Sequence, residues 1–126
     1  MTQIKNNLRK SSLAIFAMIM LTSCSHRITD FTIISSKNID LSRGAEFKRA
    51  HVRSSGIDKV HVIAFFPTGI PNAKEATDRA IEGTNGAVAL LDGVIVRHSW
   101  YIPAIYGQEW IEVEGTALID PKLENK

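Results

Sequence analysis

The chain has 126 residues, 44% hydrophobic and 22% charged, which is enough for one domain with its own core and too apolar for a disordered segment. Its formal net charge is +2, but residues 1–23 hold Lys5, Arg9 and Lys10 and no acid; the remainder has 12 basic and 13 acidic residues, a net of −1. A nucleic-acid-binding domain carries a basic excess that displaces phosphate counterions, so nucleic acid is not expected as a partner.

The polar, basic "MTQIKNNLRK" leads into an apolar run of nine residues, Leu13 to Leu21. A membrane-spanning helix needs about 20 apolar residues, whereas a run of this length suits the apolar region of a secretory signal. "LTSC" follows, with small residues at Thr22 and Ser23 and the single cysteine at Cys24. This resembles the lipobox of bacterial lipoproteins, in which the cysteine sulfur receives diacylglycerol and the leader is cut off before it. A thiol is the side chain nucleophilic enough to form that thioether.

The expected organisation is therefore a cleaved signal peptide, 1–23, and a single lipid-anchored domain, 24–126. Palmitate-class chains on Cys24 would hold it to the membrane, since each buried methylene contributes about 0.8 kcal/mol and two or three chains make attachment effectively permanent. Ser25 after the cysteine resembles the pattern of lipoproteins sent to the outer membrane in envelopes of the enterobacterial kind. With Cys24 acylated, no thiol is left for a disulfide, and the domain must be held by its core alone.

In chain order, "ITDFTIISSKNIDLS" (28–42) opens as a strand, leaving a tether of only a few residues after Cys24. "RGAEFKRAHVRSSG" (43–56) sets Arg43, Lys48, Arg49, His51 and Arg53 against Glu46 alone. The expected role is a solvated loop or charged edge strand, with attraction to anionic headgroups as the alternative. "IDKVHVIAFFPTG" (57–69) is nearly continuous in apolar residues from Val60 to Phe66, which predicts a central strand covered on both faces.

"IPNAKEATDRAIEGTNG" (70–86) predicts one helix of about three turns, with Asn72 as N-cap, Glu75 three residues later, and a stop at Gly83 or Gly86. Ala73, Ala76, Ala80 and Ile81 share a small-residue face suited to close packing on a sheet. "AVALLDGVIVRHSWYI" (87–102) predicts one long strand with Gly93 at a bulge or close backbone approach, in preference to a hairpin turning at Asp92-Gly93. "QEWIEVEGTALI" (108–119) alternates, with Ile111, Val113, Ala117 and Ile119 on one face and Trp110, Glu112, Glu114 and Thr116 on a wet one. "SWYIPAIYG" should join these last strands as a hairpin or meander. The fold class is thus α+β: a small, mixed, mainly antiparallel sheet of about four strands with one short helix packed on it.

The histidines (His26, His51, His61, His98) show no ligand spacing and no second cysteine exists, so no metal site is expected. His61 reads as a half-buried packing residue within a strand. "FPTGIPN" could present helix N–H groups to an anion, but ordinary turn geometry explains it as well. Glu109, Glu112 and Glu114 read as surface residues, not as an acid/base pair. No catalytic residue and no cofactor is expected.

Trp100, Tyr101, Tyr106 and Trp110 fall within eleven positions and include both tryptophans and both tyrosines of the chain. They form either a partner-binding patch or a second hydrophobic cluster that folds the loop onto the sheet. "KNIDLSRGAEFKRA", "FFPTGIPNAKEATDRAIE", "GAVALLDGVIV" and "YIPAIYGQEWIEVEGTALIDP" together resemble a group of small bacterial lipoproteins. The helix followed by "DGVIV" and "IYGQEWIEVEGTA" is similar, more distantly, to the TRL-like family. The resemblance spans most of the mature chain and implies compartment and fold, with no activity attached. The expectation is a non-enzymatic envelope protein that binds another envelope component, with a small-ligand or lipid-binding module as the alternative and an enzyme as a remote third.

Overall fold

A computed structural model describes residues 2–19 and 23–124, so Leu21 and Thr22 of the lipobox lie outside the described residues. The first element is helix α1 (Thr2–Ile19). Among the described residues no helix is long and apolar enough to cross a membrane.

The sheet is built on one long hairpin. Strand β4 (Ala87–Ile102) turns at residues 103–105 into β5 (Tyr106–Ile119), and the closing pair is Ile102 with Tyr106. Before it in sequence come β1 (Ser23–Ile34), a single 3-10 turn (Leu41–Glu46), β2 (Lys48–Ile63), the two-residue β3 (Phe66–Pro67) and α2 (Ala73–Glu82). A short α3 (Pro121–Glu124) ends the described chain. Every pairing is antiparallel and the order across the sheet is β1-β4-β5-β2-β3, five strands where sequence suggests about four. The architecture is α+β, one helix on one antiparallel sheet.

β4 is a single strand, as its sequence suggests, and Asp92-Gly93 is a bulge within it. The register slips between Leu91 and Val94, and Asp92 takes a φ of 47°. Gly93 is required there because a Cβ would stand 2.2 Å from the Glu114 carbonyl oxygen and against the Phe31 ring.

α2 also forms where expected. The Asn72 side chain accepts from Lys74 N–H at 2.9 Å, and Gly83 follows the last turn. Ala76, Thr77, Ala80 and Ile81 are buried against the sheet. The contact is close because a glycine faces it: a Cβ on Gly56 would lie 2.1 Å from the Ala76 carbonyl oxygen and 2.3 Å from the Ala80 nitrogen. The Ser54 hydroxyl donates to the Ala80 carbonyl beside this contact. Ile81, Leu90 and Val113 are the largest fully buried side chains, with Ile95, Ile111 and Ala117 around them.

Expectations on three strands need correction. β2 is not central: over most of its length only β5 flanks it, and β3 pairs with just Val62 and Ile63. Its apolar run therefore ends in the open, with Ile63, Phe65 and Phe66 exposed. β1 begins five residues earlier than its apolar pattern suggests, because main-chain pairing with β4 takes in the polar Ser23, Ser25, His26 and Arg27. Cys24 pairs with Ser99 inside the sheet, and the expected tether of a few residues is absent. On β5, Thr116 is buried instead of wet.

Candidate functional site

In an antiparallel ladder, paired residues point to the same face and successive residues to opposite faces. The hairpin register therefore puts Trp100 with Gln108, His98 with Trp110 and Val96 with Glu112 on one face. The β2 pairing adds Ile63, His61, Lys59 and Ile57 to the same face, opposite Tyr106, Gln108, Trp110 and Glu112. α2 packs on the other face, where Gly56, Ile95, Ile111 and Val113 lie. The face that α2 leaves open thus holds three of the four aromatic residues singled out by sequence: Trp100, Tyr106 and Trp110. Tyr101 is the exception. It points to the helix side, and its hydroxyl donates to the Ala64 carbonyl across the neighbouring hairpin.

The aromatic residues of the open face are held by one another and by two histidines. Trp100 meets Tyr106 edge-on, with ring centroids 5.6 Å apart. The Gln108 side-chain amide donates to the Tyr106 hydroxyl at 2.9 Å, which leaves the phenol proton for His61 Nδ1 at 2.5 Å. His98 stacks on Trp110 at 5.0 Å, and Lys59 Nζ lies 5.3 Å from the centre of the same indole. His98 Nε2 also stands 3.3 Å from a Glu112 carboxylate oxygen.

His61 and His98 are the residues that sequence reading undervalued. His61 is exposed on the open face and bonded to Tyr106, not half-buried in packing. The contacts of His98 could be found by counting back from the turn, since the hairpin register alone sets it opposite Trp110. Those of His61 could not, because nothing local says that β2 lies beside β5.

The carboxylates sort by face as expected. Glu112 and Glu114 share the open face, where Glu114 pairs with Arg53 at 2.5 Å. Glu109 lies on the helix side and pairs with Arg97. The start of α2 is already occupied by an acid. Asn72 N–H donates to Asp58 Oδ2 at 2.9 Å, and Asp58 pairs with Arg79 at 3.0 Å, so this helix end presents no free anion site. Among the described residues no three His, Cys, Asp or Glu side chains stand close enough to share a metal ion.

The three arginines of the basic stretch at 43–56 are each paired with an acid within the fold. Arg43 makes a two-pronged contact with Asp120, both bonds at 2.9 Å, and a third with Glu46. Arg49 pairs with Asp92 at 2.6 Å. This end of the sheet lies roughly 35 Å from Cys24 along the strands, at about 3.3 Å per residue.

Comparison of the chain with protein-family models, with curated proteins and with solved structures found no match.

Proposed function

We propose that the protein is a non-enzymatic, lipid-anchored component of the bacterial cell envelope, resident at the outer membrane, that binds or stabilises another envelope component through the open face of its sheet. The observation that carries this reading is the ladder of Trp100, Tyr106 and Trp110 on the face that α2 leaves uncovered. Half-buried aromatic rings fixed by their neighbours offer contact area at little entropic cost, which is the property of interface anchors. The anchor is supported by the basic leader, the nine-residue apolar run, "LTSC" and the exposed position of Cys24.

Labelled palmitate should enter the wild type and not Cys24→Ala, and an unlabelled wild type would overturn the anchor. In crosslinked envelopes, Trp100→Ala and Trp110→Ala should keep the circular dichroism of the wild type and lose its crosslinked partner. Retention of that partner by both variants would remove the aromatic face from the reading. The alternative, a small-ligand or lipid-binding module, needs apolar space between helix and sheet. The backbone contact at Gly56 closes the middle of that interface, and an open recess of about 360 Å³ remains at its edge, between Ile34 at the end of β1 and Ala73, Lys74 and Thr77 of α2. The open cleft of about 700 Å³ near Arg49, His51 and Arg53 lies at the end of the sheet away from Cys24.

A further inference from the structure

Three stretches of chain meet at one end of the sheet: the start of β1, the β2–β3 turn with the loop after it, and the β4–β5 turn. Cys24 pairs with Ser99, Ile63 with Phe66, and Ile102 with Tyr106. The two hairpin tips are tied together. Ala64 N–H donates to the Ile105 carbonyl at 3.0 Å, and the Tyr101 hydroxyl donates to the Ala64 carbonyl. They form one knuckle, not two independent loops. Residues 24–26, 60–73 and 98–108 contain no Asp, Glu, Lys or Arg. The knuckle nevertheless exposes large apolar side chains: Phe65 is 72% exposed and Phe66 77%, with Ile63 and Ile105 beside them.

We propose that this uncharged end docks into the lipid bilayer that holds the Cys24 anchor, so that the sheet stands upright with Phe65, Phe66 and Ile105 in the interface. This rests on the lipid-anchor reading of Cys24. Three observations favour a bilayer as the occupant.

Cys24 is itself a sheet residue at this end, so acyl chains on its sulfur bring the knuckle to the headgroups without a tether. The depth also fits. Cys24 pairs with Ser99, three residues before the closing pair of the hairpin, so the knuckle projects about 10 Å beyond the anchor at about 3.3 Å per residue. Interfacial segments bury their apolar face by a similar 5–10 Å. The order of side chains matches a membrane interface as well. Apolar residues occupy the tip, Trp100 and Tyr106 lie just behind, and the first charges, Glu109 and Lys59, occur level with Cys24 and Ser25.

The test uses the full chain, purified from its native envelope and returned to phosphatidylethanolamine–phosphatidylglycerol vesicles whose acyl chains are brominated near the headgroup. Bromine quenches a nearby indole, so fluorescence of Trp100 and Trp110 reports the posture of the domain. The wild type should be quenched, and Phe65→Asp/Phe66→Asp should lower the quenching several-fold while keeping its palmitate label and thermal melt. Ile105→Asp serves as a second, independent variant, and Val52→Asp, exposed at the far end, should change nothing. Palmitate labelling without quenching would overturn the docking and leave the anchor. Quenching that the Phe65 and Phe66 substitutions reduce in an unlabelled protein would overturn the anchor and leave the docking. Concentration-dependent dimers abolished by Phe65→Asp/Phe66→Asp, with no quenching, would assign this end to a second copy of the chain and overturn the proposal.

Discussion

The two ends of the sheet solve opposite problems. At one end, the 25 residues 60–73 and 98–108 bear no formal charge, and large apolar side chains stand in the open. At the other, Arg43, Arg49 and Arg53 are each matched to a carboxylate, and Asp120 is 6% exposed with both oxygens held by Arg43. The arginines of the charged end already have their acids within the fold. The uncharged end has unspent apolar surface. One chain thus separates a surface that water can cover from one that gains by leaving water.

The contrast assumes that both ends belong to one cooperative unit, and Gly56 tests that first. Gly56→Val would drive a side chain into the backbone of α2, and we expect a loss of about 3 kcal/mol or more in urea unfolding. Probes at the two ends should report the same midpoint. Separate midpoints would make the ends independent and break the comparison.

The charged end should respond to acid, and the other should not. Arg43 beside Asp120 holds that carboxyl below its ordinary value, and the Lys122 N–H reinforces the effect. The Ser42 hydroxyl does the same for Asp40, and Lys74 with Ser36 for Asp78. A carboxyl depressed in the folded state stabilises fully above its unfolded value of about 4 and loses that contribution as pH falls through the folded value. The wild-type melting temperature should therefore drop as pH falls below about 4, and Arg43→Ala should lower it at neutral pH and flatten the acid limb. An unchanged acid limb would show that the pair does not govern it.

The smallest effects are expected at the exposed positions of both ends. Arg49→Ala removes a pair open to solvent and should cost less than about 1 kcal/mol, less still in high salt. Phe66→Asp replaces a side chain already in water and should change stability by no more than about 0.5 kcal/mol. A large loss there would mean that Phe66 belongs to the core and not to a docking surface.

Much of this was legible residue by residue. Asn72 and Gly83 mark the ends of α2, the spacing of Ala76, Ala80 and Ile81 marks its buried face, and Asp92-Gly93 marks the bulge in β4. Each depends on neighbours a few positions away. The apolar run Val60–Phe66 misled because continuous hydrophobicity is shared by a doubly covered strand and by a tip that ends in the open. Trp100, Tyr106 and Trp110 could be placed on one face by alternation and the hairpin turn, and Tyr101 on the other. His61 could not be added, since its partner lies 45 positions away.

Sequence by itself therefore determined the helix, the hairpin, the bulge and the charge-free composition of residues 60–73 and 98–108, because periodicity, turn chemistry and charge are local properties. Tertiary structure alone decided that β1 lies beside β4 and β2 beside β5. A period-two pattern says which way a side chain points and not which strand it meets. That long-range choice is what brings Cys24, Phe65 and Ile105 to the same end of the sheet.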